Sequence, residues 1–477
     1  MIHFLIPPES TIDLQHAFYE IGCRLGVPFS IHLTSNAIPS DAIVVRYCST
    51  ELERTPQHLI DLPVSIDAPP GLIHHHNLDL WAAPTEAGTP DIVAGCRDLI
   101  SFAHEASVPS HQLDSFGRIP ALQHPLNQQG AASVSLFENN ARLLASRIRE
   151  TGITYQPANP WGEPSRYAVC LSHDTDGPRL HHPFALMRSL IYGLLKGNRH
   201  ERDSFELGVI TKLKKRPDPY WNFDHWTKLE RHFGMAPTYF VHPGSGADTR
   251  RHPRDPRYDI FQAPFPATLR CLQDSGAEIA LHNPINSHSV KGYREGIDRL
   301  YRATGIQAFG GRAHYWAIDW HNPYSSWQSM SDANLTYDAS LNLQALGYRG
   351  GSMLPITPSF RWTDTGKPFV ALPTAVMDAY TVPRHSAHKR EEIENALTQL
   401  LRNSTQGGGL LILDWHVRSL ANTGTWQGYL APLISIIKSL VQDSNCRFVT
   451  HRQAASDWNT HCNSLYRPAT KEDHHLG

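Results

Sequence analysis

The pattern of hydrophobic and polar positions changes character near residue 160. Before that point the elements are short and punctuated by Pro and Gly signals such as Thr85–Pro90 (TEAGTP). Asp41–Tyr47 (DAIVVRY) reads as a strand and Asp91–Glu105 (DIVAGCRDLISFAHE) as a helix. Val134–Arg149 (VSLFENNARLLASRIR) repeats apolar residues at helical spacing. The Pro-rich stretch Gln156–Pro164 (QPANPWGEP) predicts a linker.

Beyond it, apolar runs of strand length alternate with stretches of helix length. Strands are predicted at Tyr167–Ser172, Pro237–Val241, Glu278–Leu281, Leu335–Ser340, Phe369–Val376, Leu410–Asp414 and Arg447–Thr450. Helices are predicted at Phe265–Asp274, Tyr293–Ala303, Glu391–Arg402 and Leu430–Val441. Such alternation implies parallel βαβ units. About seven repeats over roughly 300 residues fit a distorted (β/α) barrel better than an open sheet. The expected organisation is an α/β chain with a smaller α/β N-terminal accessory domain at 1–160, the barrel at 161–460 and a C-terminal tail at 461–477.

Composition narrows the class. With 477 residues, 40% of them hydrophobic, the chain can bury a sizeable core. Lys and Arg number 43 against 45 Asp and Glu, a balance that argues against a nucleic-acid partner. The start, Met1–Ser10 (MIHFLIPPES), lacks a basic region, and no apolar run approaches spanning length, so neither a secretory signal nor a transmembrane segment is expected. The seven cysteines are dispersed without a C-x-x-C pair, which points to reduced thiols and a cytoplasmic location. Histidine is abundant at 29 residues. Imidazoles suit metals and acid–base work, but a count does not say which of them act.

In a (β/α) barrel the chemistry sits where the strands end. The first barrel strand ends in Ser172-His173-Asp174-Thr175-Asp176, which sets two carboxylates on the same side of an extended chain. Like charges so placed need a cation or a proton between them. The Glu278 strand ends in His282, with Asn286 and His288 shortly after, and the Leu410 strand ends in Asp414-Trp415-His416. Asp with His is a common divalent-metal pair. Gly310–Trp316 (GGRAHYW) adds Arg312, whose permanent charge can pair with a carboxylate.

The order Asp-x-Asp, His, Arg, late His resembles the polysaccharide deacetylases of the metal-dependent carbohydrate esterase type. It is most similar to a bacterial branch with a His-Asp-x-Asp first motif and an extra N-terminal domain. Phe309–Tyr315 (FGGRAHY), Leu335–Leu341 (LTYDASL), Gly347–Ser352 (GYRGGS), Leu372–Asp378 (LPTAVMD), Leu410–His416 and, in the N-terminal part, Asp114–Pro120 (DSFGRIP) carry the likeness. The resemblance implies removal of an acetyl group, N-linked in the first instance, from a sugar of a cell-surface polysaccharide or its precursor. It implies Asp174 as general base on a water held by the metal, Asp176 and His282 as ligands, Arg312 orienting Asp174, and His416 as general acid. It also implies a divalent metal, zinc first, with cobalt, manganese or nickel as the others. Where the family has a second histidine four residues after the first, this chain has Asn286, so the third ligand is either Asn286 or His288.

Two features bear on substrate. Tyr315, Trp316, Trp320, Tyr324 and Trp327 set five aromatics beside the Arg312 motif, suited equally to sugar faces and to core. Residues 177–216 carry nine Lys and Arg against three Asp and Glu, a net +6, and include the apolar Phe184–Leu195 (FALMRSLIYGLL). That segment reads as a variable solvated insertion or as a foot on an anionic glycan or a membrane surface, a peripheral contact. Two other readings stand beside the esterase: a glycosidase using Asp174 and Asp176, and a barrel that lost its third ligand and only binds glycan.

Overall fold

The computed structural model describes residues 1–47, 52, 55–65, 68–244, 252–359, 367–383 and 389–469. Four short parallel strands begin the chain: β1 (Ile2–Leu5), β2 (Phe29–His32), β3 (Ile43–Arg46) and β4 (His58–Asp61), ordered β2-β1-β3-β4. A hairpin follows, β5 (Gly71–His75) and β6 (Leu78–Ala82). Its turn uses His76 and Asn77 at φ 47° and 62°, the left-handed pair that a two-residue hairpin turn requires. The predicted helix at 91–105 runs over Ile92–Ser101, capped by the Asp91 carboxylate on the Ala94 amide.

The barrel strands are β7 (Tyr167–Asp174), β8 (Thr238–Val241), β9 (Glu278–Asn283), β10 (Gly311–Ala313), β11 (Tyr337–Leu341), β12 (Val370–Pro373), β13 (Val376–Met377) and β14 (Leu410–Asp414). All pair in parallel in the order β12-β11-β10-β9-β8-β7-β14-β13. Strands buried on both faces need continuous apolar sequence, which is why VCL in β7 and LLIL in β14 stand out. β12 and β13 are two parts of one run of chain, joined through Thr374 and Ala375. One end of the path therefore continues directly into the other, and seven strands come round as the expected distorted barrel. The predicted strand Phe369–Val376 is this single run, which changes partner midway from β11 to β14.

β15 (Cys446–Phe448) pairs with the start of β7, whereas β8 pairs with its end. β10 escapes the hydrophobic pattern because three residues led by glycine make no apolar run. Gly310, just before it, is required: a Cβ there would stand 2.0 Å from the Tyr337 ring.

One contiguous hydrophobic core runs through the N-terminal part and the barrel. Buried charges tie the same seam. Arg24 bonds Glu138 at 3.0 Å and also pairs with Glu20. Glu138 accepts from the Met353 amide, and Glu20 from the Thr357 amide. Glu105 is held by Arg349 and by His124 at 3.0 Å. The segment expected as a linker is itself fastened: Ala158 donates to the Gly26 carbonyl, and the Trp161 indole donates to the Gly408 carbonyl.

The tail expected from residue 461 is corrected for its first part. Helix His451–Leu465 continues through 461–465 because Cys462 and Leu465 are apolar and buried, and Tyr466 bridges to Phe29. Residues 470–477 lie outside the described residues.

Burial raises the Glu105 pKa, but Arg349 and His124 outweigh it and hold the carboxyl well below its usual range. Its stabilisation is therefore complete above the ordinary carboxylate pKa and is lost as pH falls toward the folded value. Arg349→Leu strands this buried charge and is expected to cost about 3–5 kcal/mol in urea unfolding at pH 7. The exposed Arg46–Asp61 pair is the control: Arg46→Ala is expected to cost under about 1 kcal/mol.

Candidate active site

The alternation of β7 decides which of its end residues face the barrel mouth. Ser172 and Asp174 point inward, while His173 turns out to Glu230 and to the Trp415 carbonyl. Asp174 Oδ1 accepts from Arg312 at 2.8 Å, and the same guanidinium nitrogen reaches Asp414 at 2.6 Å. Arg312 is fully buried. Burial raises the Asp174 pKa, but His282 and Arg312 outweigh it and keep the carboxylate ionised. Arg312 thus holds Asp174 in place.

His282 lies beside both aspartates: its Nε2 is 3.6 Å from Asp174 Oδ2 and 3.5 Å from Asp176 Oδ1. Its Nδ1 lies 3.0 Å from the Arg312 carbonyl. A carbonyl only accepts, so Nδ1 donates and Nε2 is the ring atom that faces the acids. The residue grouped with Asp176 and His282 is His314, not His288. Asn286 is an exposed turn residue, and His288 bonds the Tyr293 hydroxyl. His314 fills the place, with Nε2 3.0 Å from Asp176 Oδ2 and Nδ1 2.8 Å from Asp255 Oδ1. A signal for it was present: His314 stands two residues after Arg312, just past the end of β10, and i, i+2 residues of an extended chain share a side.

Donor atoms of Asp176, His282 and His314 lie within 4.8 Å of one another. His282 Nε2 and Asp176 Oδ1 are buried without a hydrogen-bond partner among the described residues, a cost that a cation would relieve. One carboxylate and two imidazoles suit a divalent transition ion, and Asp255 behind His314 supplies the outer support such ligands take. Burial lowers the His314 pKa, but Asp176 and Asp255 outweigh it and raise it to about 9. Metal binding at neutral pH must therefore displace a proton.

On the other flank, His416 Nε2 is 3.8 Å from Asp176 Oδ2. Its Nδ1 is 3.0 Å from Asp378 Oδ1, and its backbone amide bonds the same carboxylate. Burial opposes the charge, but Asp378 outweighs it and raises the imidazole to about 10. Asp378 closes the LPTAVMD motif; its role appears only when β13 lies beside β14.

The loop after His314 is held from the N-terminal part. Tyr315 and Trp316 have φ 58° and 54°, a left-handed backbone that costs about 1–3 kcal/mol for such residues. Arg118, from the DSFGRIP motif, donates to the Tyr315 carbonyl, and Phe116 stacks on the Tyr315 ring at 4.7 Å. Trp320 donates to the Trp316 carbonyl. Of the five aromatics, the three tryptophans are buried core, and Tyr315 lines the cavity that opens from Asp176 and His314. This cavity holds about 840 Å³ and also meets Trp426 and Tyr258.

No family model and no curated protein matches the chain. Solved structures resemble it more distantly. A candidate polysaccharide deacetylase from Mycobacterium smegmatis is 18% identical, covering 66% of this chain and 98% of that one, at a TM-score of 0.41. A candidate polysaccharide deacetylase from Pseudomonas aeruginosa PAO1 is 13% identical, covering 64% and 95%, at 0.41. Puue allantoinase is 14% identical, covering 64% and 94%, also at 0.41. The fold assignment rests on the chain's own strand order.

Calorimetric titration with zinc or cobalt checks the donor set. His282→Ala and His314→Ala are each expected to weaken binding by more than roughly 10–100-fold, the range for outer-shell losses, and Arg118→Ala by about 10-fold. Asn286→Ala is expected to leave binding unchanged.

Proposed function

We propose that the protein is a metal-dependent deacetylase acting on an N-acetylated sugar of a cell-surface polysaccharide or its precursor. One observation carries this reading: an ionised carboxylate and a cationic imidazole flank the Asp176, His282 and His314 trio. Asp174 stands against His282, held by Arg312, and His416 stands against Asp176, held by Asp378. The family resemblance of these motifs points the same way.

A divalent ion held by the trio supplies Lewis acidity toward the acetamide carbonyl and toward water. Zinc, cobalt, manganese or nickel would each suit one carboxylate and two imidazoles. Asp174 takes the proton of the attacking water as the new C–O bond forms. His416, protonated at neutral pH, gives its Nε2 proton to the sugar nitrogen as the C–N bond breaks, leaving acetate and a free amine. Arg312 keeps Asp174 charged in a buried site, and Asp378 keeps the His416 ring turned inward. Tyr315 and Trp426 offer ring faces to a sugar along the cavity.

Neither alternative gains support. Asp174 and Asp176 converge on one imidazole nitrogen, which suits a shared cation rather than two faces of a glycosidic bond. The binding-only reading rested on a missing third ligand, and the grouping of His314 with Asp176 and His282 supports a complete set instead.

Zinc- or cobalt-loaded protein is expected to release acetate from chitin-type oligosaccharides or another N-acetylated glycan. Asp174→Asn and His416→Ala should each lower kcat by roughly 10²–10⁴-fold. Unchanged acetate release in both variants sinks this assignment, and new reducing ends without acetate would establish the glycosidase instead.

A further inference from the structure

The basic segment after Asp176 folds into two packed helical pieces at the rim of the cavity. The first is Pro183–Leu190, continued by a π-helical turn over Ile191–Leu195, and the second is Arg199–Leu213. Their shared face is built. Ser189 donates to the buried Glu201, and Gly193 lies so near the Arg202 backbone that a Cβ would stand 2.7 Å from it. Gly208 gives room to Leu186 and Leu180 in the same way.

The outer face reverses the usual rule. Phe184, Met187, Ile191 and Leu194–Leu195 follow at spacings of three and four, and each is exposed, Leu195 at 80%. Leu213, at 78%, adds to them from the second helix. Eight of the fifteen exposed large hydrophobics among the described residues lie between 184 and 213. Clustering on that scale marks an interaction surface, whereas scattered singles would need no explanation.

Charge identifies the partner. Lys196 and Arg199 sit beside Leu194 and Leu195, and Lys212, Lys214, Lys215 and Arg216 surround Leu213, all of them exposed. Glu201, one of only three acids in the segment, is buried and tied to Arg188. The cavity next to the hairpin is lined by Arg179, Arg254, Arg257 and Arg418, none with a carboxylate in ion-pair range among the described residues. Arg257 stacks over Phe184 and Arg418 over Trp426 instead. Two copies meeting through this patch would press two +6 surfaces together. No helix among the described residues is long and apolar enough to cross a membrane, so the patch would lie on a bilayer and not span it.

We infer that the 183–213 hairpin is a membrane-docking surface. Its Leu and Met side chains enter the interface of an anionic bilayer, its Lys and Arg meet the headgroups, and the mouth of the catalytic cavity sits at the lipid surface. Docking needs no catalysis and stands or falls apart from the deacetylase reading.

The test floats the full-length protein with vesicles of phosphatidylcholine alone or mixed equally with phosphatidylglycerol. Binding is expected to the anionic vesicles, and to fall at least about 10-fold on phosphatidylcholine or at high salt. The triple variant Leu194→Ser, Leu195→Ser and Leu213→Ser should lose binding at least about 10-fold while keeping its thermal melt and its zinc affinity. Lys212→Glu with Lys215→Glu should weaken only the anionic arm. The inference is overturned if wild-type protein stays off anionic vesicles at low salt, or if the serine variant binds equally well. Sedimentation showing dimers that the serine variant abolishes would assign the face to a second copy and also overturn it.

Discussion

The barrel mouth depends on one buried guanidinium. Arg312 bonds Asp174 at 2.8 Å, Asp414 at 2.6 Å, Ser172 at 3.1 Å and the Ala339 carbonyl at 3.2 Å. These bonds draw β7, β11 and β14 onto the three-residue strand β10, with the Phe240 ring stacked 4.0 Å from the guanidinium carbon. A permanent cation without water must have its charge answered, and two carboxylates answer it. They do not share it equally. Asp174 stays ionised, whereas burial, with Asp174 nearby, pushes Asp414 up to about 6 against the pull of Arg312. One carboxylate is thereby held charged more firmly than the other.

The N-terminal part belongs to the site as well as to the fold. Arg118 and Phe116 hold the left-handed turn after His314 from outside the barrel. Arg349, from the barrel side, is matched by Glu105 from the N-terminal side and stacks on Trp320. The donor that completes the trio therefore sits on a loop whose shape is enforced across the seam between the two parts. Removing that seam would leave two strained residues without the contacts that stabilise them.

The hairpin after β7 places a different demand on the same molecule. Its inner face is packed with glycines and a buried Ser–Glu bond, so its outer leucines are not loose ends of an unformed segment. It follows Asp176 within a few residues, so the first barrel loop supplies both a carboxylate of the proposed metal site and the rim of the cavity.

Much of this was legible in the sequence. Apolar runs and helical periods located most barrel elements, and strand ends located Asp174, Asp176, His282 and His416, because both signals are local and periodic, whereas Arg312 stood out only for its permanent charge in the GGRAHYW stretch. The family resemblance pointed to Asn286, which lies on an exposed turn four residues past His282. His314, Asp255, Asp378 and Arg118 come together only when strands far apart in the chain become neighbours. The same holds for the run at 370–377, whose two halves serve two different strands. Local chemistry determined which elements form and what they carry at their ends. Closure of the barrel decided which of those ends meet, because distances across a ring are set by strand order and register, which short-range periodicity does not encode.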